Sequence, residues 1–174
     1  MRTSPNRKPA AKEAFLKAAG IAHAAGREVA LTLSDSFCVD RYREEFLDLM
    51  RGGTVDIVFA NEAELHSLYQ TSDFDGALKQ LREDATLGIV TRSDKGCVVV
   101  SNDGVIAVPA HPIETLVDTT GAGDLFAAGF LAAQARGLGL EASLRLGAIA
   151  AAEVIQHYGA RPEADLKALA GDIL

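Results

Sequence analysis

Apolar residues along this chain come in two alternating rhythms, one of about three and a half residues and one of short continuous runs. Phe15, Leu16, Ala19, Ile21 and Ala22 recur among polar residues between Ala10 and Ala25, and Gly26 follows, so the spacing predicts a helix with a C-terminal glycine. Glu28 to Leu33 then reads as a strand. Phe37 to Met50 carries Tyr42, Phe46, Leu49 and Met50 on one helical face, and Gly52-Gly53 separates it from a strand over Val55 to Phe59. The next elements predicted are helices over Asn61 to Tyr69 and Phe74 to Asp84, with a buried strand from Leu87 to Thr91. Cys97 to Ser101 and Val105 to Val108 flank Asn102-Asp103-Gly104, whose Asp-Gly pair favours a tight hairpin. Leu116-Val117 reads as the end of a further short strand. Two helices rich in small residues, Asp124 to Arg136 and Glu141 to His157, and a last short one over Asp165 to Ala170, complete the pattern.

This alternation predicts an α/β fold with a mainly parallel sheet flanked by helices. The first nine residues hold Pro5, Pro9, Arg2, Arg7 and Lys8 without apolar periodicity, and 1–9 reads as a flexible leader to a single unit over 10–174. At 174 residues and 48% hydrophobic content the chain can fill one ordinary core. The net charge of −7 argues against general attraction to nucleic acid or an anionic membrane, so anion binding has to be local. Cys38 and Cys97 stand far apart with no metal-ligand spacing, which suits free buried thiols. No apolar run approaches a membrane span of about 20 residues, and no hydrophobic signal segment follows the basic start, so a cytoplasmic protein is expected.

In such sheets ligands gather beyond the carboxyl ends of the strands. Three candidate segments fall there: Asn61 and Glu64, Thr91 to Gly96, and the heptad Asp118-Thr119-Thr120-Gly121-Ala122-Gly123-Asp124. In the heptad, small residues let the main chain approach a ligand closely, and the helix that follows presents free N–H groups to an anion. Backbone N–H groups of Gly121, Ala122 and Gly123 would form an anion hole, with Asp124 beside it as a base. The plainer reading is a strand-to-helix turn with a capping side chain. Asn61 and Glu64, one helical turn apart, suit a hydrated Mg²⁺ or equally a capping box. Arg92 and Lys95 are either phosphate contacts or solvated charges. His23, His66 and His111 have no partner spacing and are assigned no catalytic role.

The heptad and the following Leu125-Phe126-Ala127-Ala128-Gly129-Phe130 closely resemble the C-terminal signature of the ribokinase-like (PfkB) carbohydrate and nucleoside kinases. The resemblance implies an ATP-dependent phosphotransferase, with Asp124 as catalytic base between the γ-phosphate and the acceptor hydroxyl. It implies that Asp118 and the Thr120 main chain help hold a monovalent cation such as K⁺, and that Asn61-Glu62-Ala63-Glu64, similar to the family's N-x-x-E element, lies near Mg²⁺ and the phosphates. Thr91-Arg92-Ser93-Asp94-Lys95-Gly96 resembles the family's nucleotide loop, with Thr91 and Gly96 in place and Ser93 where glycine is usual. Gly147 to Ala160 resembles the adenine side of the pocket and carries over Ala150, His157 and Gly159.

Leu31 to Phe37 and the Ala150 to His157 stretch look more like the adenosine-kinase-like branch than the sugar-kinase pattern, which tilts the expected acceptor toward a nucleoside over a sugar. Family members run to about 300 residues. The resemblance covers roughly Ala10 to Leu174 and corresponds to their C-terminal portion, without the lid that recognises the acceptor. Two functions therefore stay open: a kinase or its catalytic half, and a nucleotide-binding fragment without turnover. An open sheet edge predicts a homo-oligomer.

Overall fold

The computed structural model describes residues 7–173. A five-stranded sheet runs in the order β1 (Ala30–Thr32), β2 (Ile57–Asn61), β3 (Leu87–Thr91), β4 (Cys97–Ser101), β5 (Gly104–Val108). The first three strands are parallel, β4 is antiparallel to β3, and β5 is antiparallel to β4, so β5 again points the same way as β1 to β3. The hairpin expected at Asn102-Asp103 closes with Ser101 paired to Gly104. One consequence matters for function. Asn61, Thr91, Cys97 and Val108 are paired in turn across the sheet, so they form one row at the carboxyl end of β2, β3 and β5.

Both faces of the central strands are covered: β2, β3 and β4 are apolar and mostly buried along their length. On one face Leu33, Val58, Ala60, Val90, Val98 and Val100 pack with residues of α2 (Ser36–Arg51), α3 (Glu62–Tyr69) and α4 (Phe74–Asp84). Phe15 of α1 (Arg7–Ala24) joins this cluster. On the other face Ile57, Phe59, Ile89, Cys97, Val99 and Val108 meet Phe126 and Phe130 of α5 (Ala122–Gln134) and Leu144 of α6 (Leu140–Val154), with Phe130 edge-on to Phe59 at 5.6 Å. The short α7 (Leu166–Ala170) contributes Ala170 to a small third cluster with Ala133 and Leu146. α5 and α6 lie unusually close. A methyl group on Gly129 would come 2.7 Å from the Leu146 carbonyl oxygen, so the small residues of these helices are a packing requirement.

Three sequence expectations change. The leader was bounded at residue 9, but α1 already begins at Arg7, with Pro9 in the first turn where no helical N–H partner is lost; residues 1–6 lie outside the described residues. β1 is only three residues long and β2 is displaced two residues toward its carboxyl end. Leu116-Val117 is not a strand. The N–H groups of Val117 and Asp118 reach the Ile155 carbonyl at the end of α6, at 2.9 and 3.3 Å, in place of a strand partner, and Leu116 is 60% exposed.

Candidate active site

Asn61 ends β2 and caps α3. Its Oδ1 accepts the Glu64 N–H at 2.9 Å, while Glu64 accepts the Asn61 N–H and side-chain amide at 2.9 and 2.7 Å. The capping box therefore forms. Glu64 is 4% exposed, and burial pushes its carboxyl above the ordinary value against the pull of the Asn61 N–H. A buried carboxyl of this kind gains from a nearby cation, and each oxygen keeps acceptor capacity beyond its one bond. The donor set fits a water-mediated Mg²⁺ contact, since that ion retains much of its hydration shell.

The turn after β3 is a single 3₁₀ turn, Ser93–Lys95, closed by Gly96. Thr91 is half-buried, and its hydroxyl lies 3.5 Å from the Ala60 carbonyl. Arg92 is half-buried and Lys95 is exposed, and each is engaged in an ion pair. Both pair with Glu62 at the start of α3, at 3.2 and 3.3 Å, and Arg92 stacks over Phe74 at 3.5 Å. The Arg92 bond above all, then Lys95 and the attraction of both cations, hold the Glu62 carboxyl below its usual range despite some burial. These pairs fasten the β3–β4 turn to α3. Ser93 takes up φ 53°, the region glycine would enter freely. Ser93→Gly is thus expected to raise stability by about 0.5 kcal/mol, the relieved strain slightly exceeding the entropy added to the unfolded chain, and thermal unfolding measures it.

The heptad is built from two local turns. Asp118 accepts the Thr120 N–H and hydroxyl at 3.0 and 2.7 Å, and its other oxygen lies 3.4 Å from the Gly159 N–H. Those bonds, the Thr120 hydroxyl first, lower its carboxyl below the ordinary value. Gly121 precedes α5 with φ 84°, and a methyl there would sit 2.7 Å from the Ala160 Cβ. Of the three N–H groups expected in the anion hole, that of Ala122 is already used by the Thr119 carbonyl at 3.2 Å. Among the described residues those of Gly121, Gly123 and Asp124 have no acceptor, so they are the open donors. Asp124 is exposed in the first turn of α5, its side chain outside every hydrogen bond among the described residues.

The expected adenine-side residues separate. Gly159 touches the heptad through Asp118, whereas Ala150 is buried in α6 and lines a groove of about 150 Å³ with Gly129, Ala132 and Leu166. His157, beyond the end of α6, bonds Glu153 at 3.3 Å and lies 3.8 Å from Glu163. Glu153 was not anticipated. Its Oε1 also accepts the N–H groups of Glu163 and Ala164, both at 2.8 Å; only the i,i+4 spacing to His157 was visible in sequence.

The pair has a pH signature. Burial raises Glu153, but the Ala164 and Glu163 N–H groups and His157 outweigh it and its carboxyl is lowered from 4.5. Burial lowers His157, but the Tyr158 carbonyl, Glu153 and Glu163 outweigh it and the imidazole is raised from 6.5. The Glu153 contribution is present above 4.5 and lost as pH falls through its depressed value; the His157 contribution is present below 6.5 and lost as pH rises through its raised value. The difference in melting temperature between the protein and His157→Ala is therefore expected to be widest between pH 4.5 and 6.5 and to shrink on either side.

The site thus consists of two internally bonded groups, 61–64 with 91–96 and 118–124 with 155–160. The first sits on the carboxyl row of the sheet, and the second reaches the sheet through Phe126 and Phe130 of α5. Against known proteins, the profile of the pfkB family carbohydrate kinases matches residues 6–166. The chain belongs to this family. Among the similar proteins is a cytidine kinase of Thermococcus kodakarensis, 41% identical over an alignment of 126 residues that covers 68% of this chain and 45% of that protein. The solved adenosine kinase of Sinorhizobium meliloti shares 54% identity with a TM-score of 0.91, over 94% of this chain and 50% of that one. A probable sugar kinase of Rhizobium etli shows the same identity and TM-score over 93% and 49%. The chain spans about half the length of these pfkB relatives, and among the described residues no helix is long and apolar enough to cross a membrane.

Proposed function

We propose that this chain carries the phosphate-binding and base-supplying part of an ATP-dependent phosphotransferase whose acceptor is a hydroxyl of a nucleoside or a related sugar. The observation that carries the reading is the turn at 121–124, where three N–H groups without acceptors among the described residues stand beside the exposed carboxylate of Asp124. Phosphoryl transfer needs donors aimed at the moving group and a base for the attacking hydroxyl, and the open N–H groups and the Asp124 carboxylate of this turn support that reading. The acceptor O–H gives its proton to Asp124 as its oxygen bonds the γ-phosphorus, and the bond from that phosphorus to the β–γ bridging oxygen breaks to release ADP. The Gly121, Gly123 and Asp124 N–H groups stabilise the charge on the transferred group. Asn61 and Glu64 would hold Mg²⁺ through water, and Asp118 with the Thr120 carbonyl would hold K⁺; bound Mg²⁺ supplies charge neutralisation on the phosphates.

The relatives named for adenosine and cytidine support a nucleoside as acceptor. A second reading is nucleotide binding without turnover; separately, β1 has Ala30 and Thr32 exposed and no outer partner among the described residues, where association with another chain is expected. ADP formation from Mg-ATP with adenosine, cytidine and ribose, alongside calorimetric ATP binding, tests both readings. Turnover with a nucleoside supports the kinase, binding alone supports the second reading, and no ATP binding refutes both.

A further inference from the structure

Glu153 is a carboxylate 8% exposed on a helix of small apolar residues, a location that costs stability unless the charge is compensated. All its compensation falls on one oxygen: Oε1 takes the Glu163 and Ala164 N–H groups and faces His157, while Oε2 is buried without a partner among the described residues. Such an arrangement leaves Oε2 uncompensated, which an apolar residue in the same place would avoid. It does fix one thing, the course of the chain from Ile155 to Ala164.

That stretch is what the heptad leans on. The Ile155 carbonyl accepts the Val117 and Asp118 N–H groups, the Gln156 side-chain oxygen accepts the Glu114 N–H at 2.9 Å, Gly159 donates to Asp118, and Ala160 fills the space beside Gly121. We infer that Glu153 is a positioning residue for the anion turn, clamping the 155–164 turn so that the contacts it makes to Asp118 and Gly121 keep the heptad in shape. The inference rests on the kinase reading only for what the turn binds; the clamp itself is a statement about geometry. Loss of charge-assisted bonds at one remove from the ligand sets the size of the effect.

Glu153→Ala and Glu153→Gln test it by calorimetry with Mg-ATP and by amide exchange at Val117, Thr120 and Ala122 in the heptad region and at Val98 to Val100 in β4. Glu153→Ala is expected to weaken ATP binding about tenfold and speed exchange in the heptad region while leaving β4 protected. Glu153→Gln is expected to stay within about twofold of the parent, because its carbonyl oxygen still accepts the two N–H groups. Unchanged affinity and protection in Glu153→Ala would overturn the inference, as would loss of β4 protection in step with the heptad in both variants, or equal weakening by glutamine and alanine. If the parent protein binds no Mg-ATP, the kinase reading fails, and the exchange experiment then decides the clamp alone.

Discussion

Asp124→Asn is expected to lower the rate of ADP formation with a nucleoside by about 10²- to 10⁴-fold, the span of a positioned general base, while ATP affinity changes by about twofold or less. Asparagine keeps the size of the side chain and leaves the main-chain N–H groups of the turn in place, so ground-state contacts to the phosphates persist. What disappears is the proton acceptor. The parent carboxylate is exposed and outside every side-chain hydrogen bond among the described residues, so its removal frees no buried partner, and the unfolding transition should move little. An unfavourable loss of negative charge at the start of α5 sets the direction of any residual shift. Steady-state kinetics resolve the case: a fall in kcat with KM for ATP unchanged fits a base, a rise in KM alone fits a phosphate contact, and undiminished turnover rules out the assignment.

Gly96→Ala should give the largest loss of stability, about 3 kcal/mol or more, from the joint cost of a positive φ and of overpacking. Gly96 has φ 89°, and a methyl there would lie 2.1 Å from the Val108 carbonyl oxygen and 2.8 Å from the main chain of Pro109. The obstruction is backbone on the neighbouring strand end, so no side-chain rotation relieves it. β5 would have to move away from the β3–β4 turn, opening the row Asn61, Thr91, Cys97, Val108 from which the candidate site is built. Denaturant unfolding measures the loss, and a change below about 1 kcal/mol would contradict so close an approach. The opposite sign expected at Ser93, three residues earlier in the same turn, makes the two variants a matched test of its backbone geometry.

Part of the candidate site's local geometry is legible in the sequence. The Asn61-to-Glu64 spacing allowed both a capping box and a metal-facing pair, and the structure forms the box while leaving acceptor capacity on both side chains. The glycines of the heptad indicated a close main-chain turn, and Gly121 occupies one. The destination of Arg92 and Lys95 was not readable, because Glu62 lies some thirty positions earlier and reaches them only once β2 and β3 are in register. The use of the Ala122 N–H by Thr119 is not legible in the sequence for a different reason: a single turn type decides which donors remain open, and several turns suit the same small residues.

The sequence by itself determined the alternation of helices and strands, the β4–β5 hairpin and the family, since each is written in periodicity, turn residues or a contiguous motif whose partners lie within a few positions. Tertiary structure alone decided that 116–117 docks on the end of α6 instead of joining the sheet, that two basic side chains are spent on Glu62, and that Glu153 holds the turn beside the heptad. These depend on which distant backbone and side-chain groups are left without partners when the layers pack. A buried donor or acceptor takes whatever neighbour the packing brings, and that neighbour has no fixed distance along the chain.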